Sequence, residues 1–149
     1  MKQLVLDMDG TFVDLYGVKD WLYDLEHNST KPYEIAAPLC DIFSFNELLN
    51  ILKTIGYKII IVSWTAKNGD KTYNKAIRKA KINWLKKYNV PVDEIHVVKY
   101  GTPKSYLVQG EAILIDDEEL NRNTWLRGKA IDPQHNICEE LVNLIEKVA

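Results

Sequence analysis

"LVLDMDGTFVD", Leu4 to Asp14, sets a short apolar run against three aspartates, Asp7, Asp9 and Asp14. Carboxylates this close in sequence repel one another, and a chain selected only for a stable core has no use for them. A buried strand that ends in acidic residues delivers those residues to the edge of a sheet. The rest of the chain then has to supply the sheet and the partners.

It supplies the sheet. Leu4–Leu6, Ile59–Val62, Ile95–Val98 and Ala112–Ile115 are short continuous apolar runs, the pattern of parallel strands buried on both faces. Gly128–Ile131 is a shorter fifth candidate. Helical spacing lies between them: Phe45, Leu48, Leu49, Leu52 and Ile55, with Ser44 and Glu47 as a capping box and Gly56 as the stop. Ile77, Ala80, Trp84 and Tyr88 repeat that spacing on a long basic helix, and Ile137, Leu141, Leu144, Ile145 and Val148 repeat it near the end. Strand–helix alternation predicts a three-layer, Rossmann-like α/β domain with a parallel sheet of about five strands and right-handed crossovers.

Composition narrows the classes. The 149 residues suit one domain, 46% hydrophobic and 27% charged content suits a globular one, and the formal net charge is −2. No basic footprint for an extended nucleic-acid surface is present. Cys40 and Cys138 lie far apart with no metal-ligand spacing and read as buried thiols of a reducing compartment. The opening apolar run stops at Asp7, which is no secretory leader, and no segment has membrane-spanning length. The expected location is cytoplasmic.

In open α/β sheets ligands gather at the carboxyl ends of the strands. There the first strand offers Asp7, Asp9, Gly10 and Thr11, and the second Ser63, Trp64 and Thr65. The third offers Lys99 and, beyond Gly101-Thr102-Pro103, Lys104; the fourth offers Asp116 and Asp117. Two carboxylates such as Asp7 and Asp116 suit Mg²⁺, which also takes a phosphate oxygen. Asp7 can attack phosphorus, and Asp9 can protonate the leaving oxygen and later activate water. Ser63, amides near Gly10 and a lysine would stabilise the equatorial oxygens. Thr102 as N-cap with Pro103 at the first helical position favours Lys104 for that task.

This constellation resembles the haloacid dehalogenase (HAD) superfamily over nearly the whole chain, and is similar to small HAD-like proteins carried by phages. The DxDGTxxD motif stands intact as Asp7-Met8-Asp9-Gly10-Thr11-Phe12-Val13-Asp14; Ser63 in "IIIVSWT", Lys104 in "YGTPKSYL" and Asp116-Asp117 in "AILIDDEEL" follow in family order. The resemblance implies a strand order of 5-4-1-2-3 and a phosphatase using an aspartyl-phosphate. It makes Asp7 nucleophile and Mg²⁺ ligand, and Asp9 acid/base and ligand through its carbonyl. Gly10, Thr11, Ser63, Trp64 and Lys104 would bind phosphoryl, Asp116 would bind metal, and Asp117 would support it. An aspartate at the place of Asp9 marks the family's phosphatases.

Each assignment has a plainer competitor. Asp117 reads equally as a helix cap, Asp14 as a turn residue, and the basic run Lys67–Lys87 as a solvated helix face. The stretch 15–44 is long enough for a small helical flap patterned on Val18, Trp21, Leu22 and Leu25, and too short for a large cap domain. Tyr16, Trp21, Tyr23, Trp64 and Trp125 are expected to border an open site. Such aromatics stack nucleobases, so the expected substrate is a small phosphorylated molecule, a nucleotide or a nucleic-acid end. Two alternatives are a HAD-fold binding or regulatory protein with vestigial catalysis and a receiver-like phosphoacceptor. The receiver fits poorly, because its acidic pair would follow the first strand rather than the fourth.

Overall fold

A computed structural model describes residues 2–148. In chain order the elements are β1 (Lys2–Leu6), β2 (Val13–Asp14), α1 (Trp21–Glu26), α2 (Lys31–Ile35), β3 (Ala37–Pro38), α3 (Ile42–Thr54) and β4 (Tyr57–Trp64). They continue with α4 (Lys71–Lys87), β5 (Glu94–Val98), a 3-10 turn (Lys104–Leu107), β6 (Ile113–Ile115), α5 (Glu119–Asn123), β7 (Ala130–Ile131) and α6 (Ile137–Glu146).

The apolar runs form one five-stranded parallel sheet in the order β5-β4-β1-β6-β7. These numbers differ from the expected 5-4-1-2-3 because the described residues hold two further strands, β2 and β3, that pair with each other outside the main sheet. Across the sheet the runs lie as 94–98, 57–64, 2–6, 113–115 and 130–131.

Alternation along the strands divides the core. Leu4, Leu6, Ile59 and Ile61 face α3, α4 and α6 through Phe45, Leu49, Leu52, Trp84, Leu141 and Leu144. Val5, Ile60, Val62 and Leu114 face the other way, onto Val108, Ala112 and Trp125. Among the described residues no long helix covers that second face; the 3-10 turn and the five-residue α5 take its place. The outer layer there is thinner than the sequence pattern predicts.

Caps also differ from expectation. Asp41, not Ser44, opens α3: its carboxylate accepts from the Phe43 amide at 3.0 Å and the Ser44 hydroxyl at 3.2 Å. A carboxylate is the stronger acceptor, so the helix starts nearly one turn earlier. Pro103, not Thr102, precedes the turn that carries Lys104, and the Thr102 hydroxyl donates backward to the Lys99 carbonyl. Cys40 and Cys138 are half-buried where the segment before α3 meets α6. Burial pushes the Cys40 thiol up to about 12, with Cys138 beside it.

The stretch after β1 folds back over the carboxyl ends of the strands. The β2–β3 ladder (Val13 with Pro38, Asp14 with Ala37) closes its base. Inside lie α1 and α2, and Asp14 fixes the turn by accepting from the Gly17 amide at 3.0 Å. No helix among the described residues is long and apolar enough to cross a membrane.

Candidate active site

The chain changes direction across the sheet beside β1, with β4 and β5 on one side and β6 and β7 on the other. Ligands collect at such a switch point. Asp7 and Asp116 terminate the two strands that flank it. Their amides still donate to the sheet, to Ile115 O and Ile131 O, both at 3.1 Å, so the backbone is fixed where the carboxylates leave it.

One lysine holds both. Lys104 Nζ lies 2.7 Å from Asp7 Oδ1 and 2.8 Å from Asp116 Oδ2, and all three residues are buried. Asp116 Oδ2 also accepts from Asn121 Nδ2 at 3.0 Å, and Oδ1 accepts from the Glu118 amide at 2.9 Å. Arg122 Nη1 ties down the carbonyls of Asp116 and Asp117 at 3.0 and 2.8 Å. Thr11 Oγ1 stands 3.2 Å from both Asp7 Oδ2 and Asp117 Oδ1 and accepts from the Asp117 amide. Asp117 therefore braces the cluster instead of capping α5, whose N-cap is Glu118.

One ammonium group does not neutralise these three carboxylates. Burial, and then the charge of Asp7, push the Asp116 carboxyl up to about 6 against the pull of Lys104. Burial and Asp7 push Asp117 up to about 8. Burial alone would lower the Lys104 ammonium, but Asp7 and Asp116 hold it above its ordinary value. Single oxygens of Asp7, Asp116 and Asp117 lie within 4.8 Å of one another. Convergent hard oxygens with a shortage of positive charge fit Mg²⁺. The Asp9 carboxylate is outside that cluster.

Asp9 has its own lysine. Lys81, on α4 and 1% exposed, donates to Asp9 Oδ2 at 2.7 Å, Ser63 Oγ at 2.7 Å and the Trp64 carbonyl at 2.8 Å. The Tyr33 ring of the flap lies 5.1 Å from its nitrogen. Burial raises the Asp9 carboxyl above its ordinary value, and Lys81 opposes this without cancelling it. In the sequence Lys81 belongs to the basic run Lys67–Lys87, which reads as a solvated helix face. The contrary signal is its place between Ile77 and Trp84 on the apolar stripe. Asn121 is not legible in the sequence either.

Other expected phosphate-binding groups are already engaged. The Gly10 amide donates to Val13 O at 2.9 Å and that of Thr11 to Met8 O at 3.1 Å, so neither is free for a phosphoryl oxygen. Gly10 instead makes room. Its φ is +80°, and a Cβ there would fall 2.2 Å from Asp117 Oδ2. The Trp64 indole N–H donates to Thr102 O at 2.9 Å, leaving its ring to wall the site. Lys99 is exposed and takes no part.

A cavity of about 460 Å³ opens above Asp7, Asp9 and Lys104. Tyr16 and Trp21 of the flap meet edge to face at 4.9 Å, and Trp64 and Tyr100 of the sheet rim lie 4.8 Å apart; both pairs line it. Tyr33 lines it as well. Thr65 also lines it, buried and with its hydroxyl unpartnered among the described residues. Two expected aromatics are elsewhere. Tyr23 points outward and stacks on His27. Trp125 is buried on the second face of the sheet, where its indole N–H donates to Ala112 O at 3.0 Å.

No protein-family model and no curated protein sequence matches the chain. Among solved structures it is similar to a D,D-heptose 1,7-bisphosphate phosphatase from Burkholderia thailandensis. The TM-score is 0.49 at 11% identity, over 95% of this chain and 99% of that one. At that distance a functional reading rests on the geometry of the site itself.

Proposed function

We propose that the chain is a Mg²⁺-dependent phosphomonoesterase of the HAD type working through an aspartyl-phosphate. The observation that carries this is the pairing of Asp7 and Asp116 through Lys104 at the switch point of the sheet, with Asp117 close by. Asp7 and Asp116 would hold Mg²⁺, Asp9 through its carbonyl and Asp117 in support. The ion supplies positive charge for the phosphate and for the carboxylates themselves.

An Asp7 carboxylate oxygen attacks phosphorus and forms an acyl-phosphate bond as the ester P–O bond breaks. Asp9 gives its proton to the departing oxygen. Asp9, now ionised, takes a proton from water as that water attacks phosphorus, which breaks the acyl-phosphate and frees Asp7 and inorganic phosphate. Lys104 makes two hydrogen bonds and keeps its third N–H for a phosphoryl oxygen.

The favoured substrate is a nucleotide or a phosphorylated nucleic-acid end, its base set among Tyr16, Trp21, Trp64 and Tyr100. A phosphate-release screen over nucleotides, sugar phosphates and nucleic-acid ends tests both parts. Release that needs Mg²⁺ and stops in chelator supports the chemistry, and a preference for nucleotides supports the substrate. Full turnover in excess chelator would exclude this mechanism.

A further inference from the structure

Lys81 and Lys104 are both buried at the rim, but their protons are spent differently. An ammonium has three N–H donors and accepts nothing. Lys104 uses two of them on protein oxygens. Lys81 uses all three, on Asp9 Oδ2, Ser63 Oγ and Trp64 O, and the Tyr33 ring faces the same nitrogen. Lys81 thus has no proton left for a phosphoryl oxygen and is no second phosphate ligand.

Its partners are constrained in turn. Because Lys81 only donates, Ser63 Oγ must accept, and the Ser63 hydroxyl proton makes no other hydrogen bond among the described residues. Asp9 Oδ2 is likewise taken up, whereas Oδ1 accepts from none of the described residues. Asp9 itself lines the cavity. We propose that Lys81 is a positioning residue: by gripping Asp9 Oδ2 it turns the other Asp9 oxygen toward the leaving group in the cavity, and by gripping Ser63 Oγ it leaves that buried hydroxyl able only to donate. The leaving-group oxygen then meets the Asp9 oxygen that is able to carry a proton. This inference rests on the phosphatase reading above.

The test compares Lys81→Met, Lys81→Gln and Lys81→Arg with wild type on a nitrophenyl phosphate and an alkyl phosphate, with Mg²⁺ present and melting curves confirming the fold. Methionine keeps the length and no donor, glutamine keeps two N–H groups if methionine does not fold, and arginine keeps a charged donor. Loss of an aimed general acid predicts a kcat/KM for the alkyl ester, which reads only the steps up to departure of the alcohol, about 100-fold lower in Lys81→Met. The nitrophenyl ester, whose leaving group needs no proton, should lose much less, and Lys81→Arg should recover selectivity toward wild type. An equal fall in kcat/KM for both esters, or a wild-type kcat/KM in the folded methionine or glutamine variant, overturns the inference and leaves the phosphatase reading intact. A wild-type protein inert toward every ester overturns both.

Discussion

One methionine separates Asp7 from Asp9, and the two carboxylates answer to different lysines, Lys104 and Lys81. Met8 is buried, and its carbonyl collects the amides of Thr11, Phe12 and Val13, which locks the turn that splays the two acids. Lys104→Ala should lower kcat by about two orders of magnitude, as the loss of one oxyanion donor does. Lys99→Ala, at an exposed position, should change it little. Steady-state kinetics of the two variants side by side checks the assignment, and a more crippled Lys99→Ala would refute it. Asp9→Asn should lower kcat/KM, which stops at leaving-group departure, more for alkyl phosphates than for nitrophenyl phosphates, and an identical fall in kcat/KM would contradict its role as proton donor. At this scale Lys104 was legible because it follows a turn beyond a strand end. Lys81 was not, because Lys71, Lys75, Lys79, Lys86 and Lys87 on the same helix do point to solvent. Only the tertiary fold shows which lysine of a basic run faces inward.

Helix α4 is the element that joins the flap to the site. Tyr73 donates its hydroxyl proton to Ser29 O at 2.7 Å, Trp84 donates to Ala36 O at 2.8 Å, and Lys81 faces the Tyr33 ring. The half of the flap around α2 is therefore pinned. The half around α1 is not: that helix buries none of its residues and starts at Asp20 with φ 61° and no side-chain cap. Marginal packing of this kind lowers the cost of local opening. If α1 contributes mainly a stacking wall, Trp21→Ala should raise KM for a nucleotide about tenfold, in line with the loss of one base–aromatic stack. KM for a small alkyl phosphate should stay near wild type, and steady-state kinetics on the two substrates distinguishes the outcomes. The strands of the main sheet were readable because apolar runs need no partner to be recognised. The two-residue ladder of β2 and β3 was not, since two residues carry no period.

Across the whole molecule, the acidic rim couples stability to pH and to metal. Asp116 and Asp117 are held at about 6 and about 8, above the ordinary carboxyl value of 3.8. A carboxyl raised by folding favours the folded state while it is protonated, and that contribution is lost as pH rises through the folded value. The metal-free protein should therefore lose stability between about pH 4 and pH 8. Ionised carboxylates are better ligands, so Mg²⁺ should raise Tm more at pH 8 than at pH 6. Thermal melts at the two values with and without Mg²⁺ check this, and an equal or opposite effect would contradict the cluster. The thin second face was hidden for a related reason: Lys104 and Asp116 stand 12 residues apart and must touch, which leaves no room for a full helix between β5 and β6. The bonds that build the site have another consequence, for how the chain comes to life during synthesis. They join residues 72, 97 and 106 positions apart, Lys81 to Asp9, Lys104 to Asp7 and Thr11 to Asp117. Contacts of such long range form late, after the loops between them have closed. On the phosphatase reading, a nascent chain would stay chemically silent until Asp116 has left the ribosome and joined Asp7, well over a hundred residues into the chain.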